Sequence, residues 1–424
     1  MKICFVSKDL VLSWTILQLL LLVLTLQLPL TAFGKTENNI KSADFLSPKF
    51  ELDPGSVANT LFYDIDFPKG HVAIKSLDAE IVDEAGNPVP LYETYLHHWV
   101  IVKYLHPKNV STKSENVSWV RNSGLCQHET LMQQFGVGAE TRKTNTQVPE
   151  PFGVEIGNPT KIPKGYEEKW FLNVHAIDVR GVEDRVGCLE CRCDLYNATT
   201  DEDGKPLSPG YVGGMSCCTD GRKCRLKNAF LGPKRTLYLK YTITWTKWNK
   251  FIVPVNVYIL DVTDTFKISD KSNGLISSQH QCHTEYQVEA CGKKHKDGSG
   301  CIDVKKNRLQ FQKGGYVIYA VSHLHRSGIG STLYGQNGTV ICSSKPTYGT
   351  GKEAGNEEGY VVGMSTCYPK PGSVKINDGE IVTMEINYSN TKMHSGVMGL
   401  FYIMLAEDLP SHHHHHRHHH HHLL

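Results

Sequence analysis

Alternating apolar and polar residues recur along the chain and restrict its fold more than any other feature. They form four clear segments, at residues 238–248 (YLKYTITWTKW), 316–325 (YVIYAVSHLH), 380–389 (EIVTMEINYS) and 397–405 (VMGLFYIML). Because successive side chains of a strand point to opposite faces, a period of two predicts half-buried strands. Gly, Pro and Asn clusters separate these segments at short intervals. We therefore predict an all-β protein, and 424 residues favour two jelly-roll-like antiparallel β-sandwich domains.

The N-terminus predicts export. Lys2 and Lys8 precede an apolar run at residues 11–30, and Ala32 and Gly34 supply the small residues of a cleavage site before Lys35. We interpret residues 1–34 as a signal peptide, with an uncleaved membrane anchor as the alternative. The mature chain is then secreted, with no membrane segment after cleavage. Five Asn-x-Ser/Thr sequons agree with this route and suggest a glycoprotein: Asn109, Asn116, Asn197, Asn337 and Asn387.

Twelve cysteines remain once the leader is removed. Six of them lie in a loop-rich insert at residues 187–225, with spacings that suit either zinc or disulfides. Since the leader predicts an oxidising compartment, we favour disulfides. We place the N-terminal domain at residues 35–275 and the C-terminal domain at 276–410. These hold seven and five cysteines, so either one disulfide joins the domains or the boundary is misplaced.

The C-terminal tail, residues 411–424, contains ten histidines in two runs of five. Such a run binds divalent copper, nickel or zinc loosely and without fixed geometry. It is either a purification tag or a copper buffer, and we leave it out of the active-site argument as a disordered appendage.

Charge and motifs exclude several function classes. The 45 Lys and Arg nearly cancel the 43 Asp and Glu, which argues against a polybasic nucleic-acid-binding protein. No Gly-x-Ser-x-Gly elbow is present, and the segment at residues 136–139 (GVGA) lacks the third glycine of a dinucleotide-binding loop.

Five of the twelve histidines outside the tail, His97, His98, His175, His323 and His325, occupy strand-like segments. His323 and His325 are two residues apart, so a regular strand places both on one face, as a metal site requires. A thioether such as that of Met398, beside two imidazoles, suits cuprous copper. His97 and His98 are adjacent and would share a metal only where the strand is distorted. Each of these residues, and His175, has an alternative interpretation as a hydrogen-bonded or packed core residue.

In order and context these residues resemble the copper type II, ascorbate-dependent monooxygenases, represented by the peptidylglycine α-hydroxylating and dopamine β-monooxygenases. In that family an adjacent histidine pair and a later strand histidine bind one copper, and a His-x-His strand with a methionine binds the other. The resemblance implies two copper ions here, one held by His97, His98 and His175 and the other by His323, His325 and Met398.

The resemblance also implies a mechanism. Ascorbate reduces both coppers, dioxygen binds at the His323/His325/Met398 copper, and a C–H bond of a small-molecule substrate is hydroxylated. The other copper delivers an electron across an open cleft. Tyr402 matches a substrate-binding tyrosine of the family, whereas the residues that anchor a peptide carboxylate are replaced by Val321 and Leu400. We therefore expect a non-peptide, small or hydrophobic substrate. His394 is a further candidate, as an orienting partner for a ligand.

More closely still, the whole chain resembles the plant stress-up-regulated nodulin family. The segments ETYLHHWV, CLECRCDLYN and GGMSCCTDGRKC carry this second resemblance. The alternative function that we keep open is a non-catalytic copper-binding or stress-related interaction protein on the same scaffold. The oligomeric state is left open.

Overall fold

Strands make up most of the secondary structure of the computed structural model, which describes residues 40–110, 117–127, 131–269, 277–292 and 300–410. The predicted signal peptide and the histidine tail lie outside these residues. The strands are β1 (Lys41–Leu46), β2 (Phe50–Leu52), β3 (Val57–Tyr63), β4 (Val72–Asp83), β5 (Thr94–Pro107), β6 (Ser118–Val120), β7 (Phe135–Val137), β8 (Phe152–Ile156), β9 (Tyr166–Asp178), β10 (Arg235–Lys247), β11 (Val253–Pro254), β12 (Asn256–Asp261), β13 (Thr265–Ser269), β14 (Ser277–Gln281), β15 (Glu285–Val288), β16 (Ile302–Gln310), β17 (Gly315–Leu324), β18 (Gly328–Tyr334), β19 (Val340–Ser344), β20 (Pro346–Tyr348), β21 (Val361–Met364), β22 (Lys375–Ile376), β23 (Ile381–Ser389) and β24 (His394–Ala406).

Helical structure in the described part of the chain is short. Two α-helices, α1 (Arg185–Leu189) and α2 (Cys193–Tyr196), lie in the cysteine-rich insert, and two 3-10 helices span Ala139–Lys143 and Met215–Cys217. None of these helices has the length or apolar character needed to span a membrane.

The N-terminal half contributes two sheets. One has the order β1-β10-β4-β8-β11, with β2 also on β10, and the other has the order β3-β9-β5-β6, with β7 also on β5. Apart from the short parallel pair β8–β11, the pairings in these two sheets are antiparallel. Antiparallel pairing needs only short connections, as the turn residues between the strands predicted.

The C-terminal half contributes the sheets β12-β24-β17-β22, with β15 also on β24, and β16-β23-β18-β19. β12 already belongs to this half, because it pairs with β24 along its whole length. The exchange between the two pairs of sheets therefore falls between Pro254 and Asn256, earlier than the predicted boundary. The 275/276 boundary itself lies outside the described residues.

Burial along the strands separates outer from inner sheets. In β10 and β23 buried side chains alternate with accessible ones, so one face packs on the core and the other meets solvent. β24 is buried on both faces along almost its whole length, and so is the second half of β9. The nearly all-β fold predicted from the alternation is confirmed. The inner strands carry the histidines discussed below.

The twelve cysteines that follow Cys4 in the sequence form six disulfides. Three bridges close within the insert, Cys188–Cys224, Cys191–Cys218 and Cys193–Cys217, so these cysteines are not available as zinc ligands. Two bridges are local to the C-terminal half, Cys291–Cys301 and Cys342–Cys367. The sixth, Cys126–Cys282, joins the two halves and accounts for the odd cysteine count on each side.

The bridge between the halves provides a test of how they stabilise each other. The double variant Cys126→Ser, Cys282→Ser removes a cross-link between residues 156 apart. Chain entropy predicts a loss of about 5 kcal/mol in the free energy of unfolding, against about 3 kcal/mol for Cys291→Ser, Cys301→Ser. Denaturant unfolding of the two variants should rank them in this order. Equal losses would show that the long bridge constrains the unfolded chain no more than the short one.

Candidate metal centre

The adjacent histidines lie at a β-bulge. β5 pairs with β9 in a register that sets His98 opposite His175, and the register shifts by one residue between Leu96 and His98. His97 is the extra residue. Because a bulge interrupts the strict alternation of side chains, both histidines can face the same neighbour. Each ring centroid lies 4.7 Å from that of His175. This is the strand distortion that a shared site required.

Donor nitrogens of the three rings converge. One ring nitrogen from each of His97, His98 and His175 lies within 4.8 Å of the other two. His97 and His175 are almost completely buried. The bulge and the register thus assemble a compact group of imidazoles, which we call the first set.

The second nitrogen of His98 is held by an amide. Its Nε2 lies 2.9 Å from Oδ1 of Asn173. The Asn173 side-chain nitrogen donates to Oδ1 of Asn59 at 2.8 Å and to the carbonyl of Thr60, which turns its oxygen toward His98. Since that oxygen can only accept, Nε2 of His98 carries the hydrogen and Nδ1 is left bare.

His175 is oriented in the same way by the backbone. Its Nε2 donates to the carbonyl oxygen of Cys218 at 3.0 Å. The Nδ1 atoms of His175 and His98 then face each other at 3.4 Å. Burial lowers the pKa of His98 to about 4, and burial together with the neighbouring His98 lowers the pKa of His175 far below its usual value. Both rings are therefore neutral at physiological pH, and two lone pairs point at one space.

His97 completes the group with a third unpartnered nitrogen. Its Nδ1 is buried and has no hydrogen-bond partner in the described part of the chain. Burial, and then the neighbouring His175, lowers the pKa of His97 as well. A buried acceptor without a partner costs about 1–3 kcal/mol. A cation at the convergence of the three rings would be coordinated by one nitrogen from each ring, so the donor set fits a metal ion.

His323 and His325 lie close together on the C-terminal side, with ring centroids 5.1 Å apart. Nδ1 of His323 is hydrogen-bonded to the carboxylate of Glu140, which also accepts from the backbone of Gly138 at 3.1 Å. Nε2 of His323 is thereby left to face other partners. Nε2 of His325 is buried without a partner among the described residues. Burial and the neighbouring His323 lower the pKa of His325 well below its usual value.

A tyrosine links His325 to the predicted methionine ligand. The hydroxyl of Tyr388 accepts from the backbone N–H of His325 at 2.8 Å and donates to the carbonyl of Met398 at 2.6 Å. The β17–β24 register sets Leu400 opposite His323, so Met398, two residues away, lies on the same face of that sheet. His323, His325 and Met398 form the second set.

The two sets meet directly. The ring centroids of His97 and His325 are 4.9 Å apart. Gly138 lies between the sets, and a Cβ there would stand 2.7 Å from the His97 carbonyl and 3.1 Å from the His323 ring. This packing differs from the open cleft that the monooxygenase resemblance implies, because the inner sheets bury the faces that carry these rings.

A cavity of about 870 Å³ borders both sets. His98, His323 and Met398 line it together with Leu400 and Tyr402. The Tyr402 hydroxyl accepts from Nε2 of Gln133 at 3.0 Å, and burial raises the pKa of Tyr402. The wall is aromatic at Tyr63, Trp119 and Phe171 and acidic at residues 201–203. Its volume accommodates a small organic molecule.

Several orienting groups were not found from the sequence. Asn173 lies two residues before His175 on the same strand face, a signal that period-two reasoning could have used. Glu140, in the 3-10 helix Ala139–Lys143, and the carbonyl of Cys218 are distant in sequence from the histidines that they orient and carry no such signal. His394, the orienting partner considered from the sequence, bonds Glu190 of the insert instead, with 2.7 Å between Nδ1 and Oε1. The rings of His98, His175 and His323 are oriented by Asn173, Cys218 and Glu140.

Comparison with known proteins identifies one family. The family described as "Stress up-regulated Nod 19" matches residues 38–408. No curated protein matches the chain. Two solved structures of infectious bursal disease virus are weakly similar. The VP2 subviral particle is 9% identical over 87% of this chain and 72% of that chain, with a TM-score of 0.19. The Gt strain structure is 10% identical over 88% and 74%, with a TM-score of 0.17.

Copper stoichiometry tests the two sets. To remove the tail as a ligand, the ten histidines at residues 412–422 are replaced by asparagine in the full chain, which we call the tail-silenced chain. We expect two copper ions per molecule after equilibrium dialysis, and one in either His175→Ala or His323→Ala. His71→Ala serves as a control that keeps both, since His71 bonds Glu155, outside both sets. Two bound copper ions in His175→Ala would contradict the prediction that the first set binds copper.

Proposed function

The chain belongs to the stress up-regulated Nod 19 family, and we propose that it is a secreted, copper-dependent, ascorbate-reduced monooxygenase. The observation that carries the proposal is the pair of bare Nδ1 atoms of His98 and His175, 3.4 Å apart, within a group of three histidines whose donor nitrogens lie within 4.8 Å of one another. Neutral imidazoles whose other nitrogens are held by acceptors are ready-made metal ligands.

Copper fits the donors of both sets better than other metals do. Nitrogen ligands bind cupric copper more tightly than the other divalent first-row metals, and a thioether favours the cuprous state. Cysteine thiolates, which would favour zinc, are consumed in the six disulfides. The same disulfides support an oxidising, extracellular compartment. The first set supplies three imidazole nitrogens, and the second supplies two imidazoles and the Met398 sulfur.

Copper bound there would supply one-electron redox chemistry with ascorbate and dioxygen, the chemistry needed to hydroxylate a C–H bond. The chain's own residues would position the reactants. Glu140 holds the His323 ring by its Nδ1, and Tyr388 ties the backbones of His325 and Met398 together. The cavity beside them would admit the substrate to the second set.

The substrate is proposed to be small and uncharged at its reacting end. Leu400 lines the large cavity beside His323 and Met398. Val321, two residues before His323, lines a smaller apolar cavity that shares Tyr402 with it. Neither residue can pair with a carboxylate, so these two positions favour an apolar part of the substrate, and Tyr402 offers a polar contact.

A non-catalytic copper-binding protein is the second candidate function. It is favoured by the 4.9 Å contact between His97 and His325, which leaves little room for substrate between the two sets. Both functions predict bound copper. They differ in whether the copper-loaded protein consumes oxygen with ascorbate.

Met398→Ile separates these functions. In the copper-loaded, tail-silenced chain, loss of the thioether should reduce ascorbate-dependent oxygen consumption to the level of the metal-free protein, while the copper of the first set stays bound. An oxygen electrode and metal analysis give the two readouts. Met404→Ile, on the same strand, is the matched control and should consume oxygen normally. Unchanged oxygen consumption in Met398→Ile would contradict the monooxygenase mechanism. Bound copper without consumption in the unmodified protein would favour the second function.

A further inference from the structure

One disulfide of the insert lies against the first set. The sulfur atoms of Cys191 and Cys218 and a ring nitrogen of His97 all lie within 4.8 Å of one another. Both cysteines are completely buried. The disulfide and the imidazole therefore share one enclosed space, and the insert forms part of the wall around the histidines.

The same cysteine provides the acceptor for His175. The Cys218 carbonyl receives the Nε2 hydrogen at 3.0 Å, and this bond leaves Nδ1 of His175 bare. A peptide carbonyl in a loop can rotate away from its donor unless neighbouring bonds hold it. Cys218 follows the 3-10 helix Met215–Cys217, and its own N–H makes only a long bond, 3.3 Å, to the Met215 carbonyl. The covalent link to Cys191 is the strong restraint at this residue.

The loop around Cys218 is also pinned to the sheet that carries the histidines. Gly221 donates to the Val57 carbonyl at 3.0 Å, and the Asp220 carboxylate accepts from the Asn59 backbone at 2.8 Å. On the other flank the Glu285 carboxylate accepts from the Met215 backbone at 2.9 Å. These contacts hold the loop against β3 and β15, and the disulfide restrains the residue whose carbonyl bonds His175.

We propose that the Cys191–Cys218 disulfide is a positioning element of the histidine site. By holding the Cys218 carbonyl on His175, it selects the tautomer in which Nδ1 is free to bind a metal. By covering His97, it keeps the third donor nitrogen enclosed. The inference rests on the proposed copper binding, and it makes copper affinity depend on one particular bridge of the insert.

The neighbouring disulfide provides a matched comparison. Cys193–Cys217 lies in the same insert and spans 24 residues, against 27 for Cys191–Cys218. Cys217 and Cys218 are adjacent, yet the cysteine–histidine groups found in the described residues include Cys218 and not Cys217. If the bridges acted only by holding the insert together, removing either one would affect the histidines equally.

The experiment compares Cys191→Ala, Cys218→Ala with Cys193→Ala, Cys217→Ala, both in the tail-silenced full chain. Because losing a partner that orients a metal-binding histidine typically costs 10–100-fold in affinity, we expect the first variant to bind copper about 10–100-fold more weakly. The second should stay within about 3-fold of the unmodified protein. Competitive titration with a copper chelator measures both. Equal affinities for the two variants, or no loss in the first, would overturn the proposal.

A second measurement needs no copper, and its result for the intact protein does not depend on the folding of a variant. Nitrogen NMR of the metal-free, histidine-labelled protein reports which nitrogen of each ring carries the hydrogen. His175 should be protonated at Nε2 in the intact protein and should lose this preference in Cys191→Ala, Cys218→Ala. Protonation at Nδ1 in the intact protein would overturn the inference. If the intact protein has the expected tautomer, the variant loses it and the intact protein binds no copper, the proposed function fails while the positioning role stands.

Discussion

The centre of this structure depends on one constraint. Several imidazole nitrogens without hydrogen-bond partners are buried close together. Buried polar atoms are normally paired, and leaving one unpaired costs about 1–3 kcal/mol. Here the other nitrogens of His98, His175 and His323 are paired, with an amide, a backbone carbonyl and a carboxylate. These hydrogen bonds therefore fix the orientation of the three rings, and the remaining nitrogen of each ring faces the interior of the site. An arrangement that is unfavourable in an apolar core is complementary to a cation.

Much of the fold was predictable, because alternating residues record which face of a strand is buried. Ile243 on β10 and Ile386 on β23 are completely buried, as the alternation in their segments required. The same rule predicted that the side chains of His323, on β17, and His325, which follows the last residue of β17, lie on one side, and their ring centroids are 5.1 Å apart. The sequence predicted only that His97 and His98 could share a metal if their strand were distorted. The position of the bulge depends on the register between β5 and β9, which the sequence of β5 alone does not determine.

The groups that orient the histidines were harder to predict. Glu140 bonds His323 across a sequence separation of 183 residues. The group that orients His175 is the backbone carbonyl of Cys218, and because every residue has such a carbonyl, the residue type does not reveal this role. The predicted boundary at 275/276 assigns β12 to the N-terminal domain for a related reason. The residues of β12 have strand character, but only the pairing with β24 assigns them to the C-terminal sheets. Long-range pairing decides each of these features.

The Cys126–Cys282 bridge also has a consequence for how the chain is made. Synthesis proceeds from the N-terminus, so Cys126 emerges well before its partner, while the three bridges of the insert can close over short distances in the meantime. During that interval six other cysteines are candidates for Cys126. A protein disulfide isomerase that corrects early mispairing would then govern the yield of the native chain, and the insert would mature before the two halves are joined.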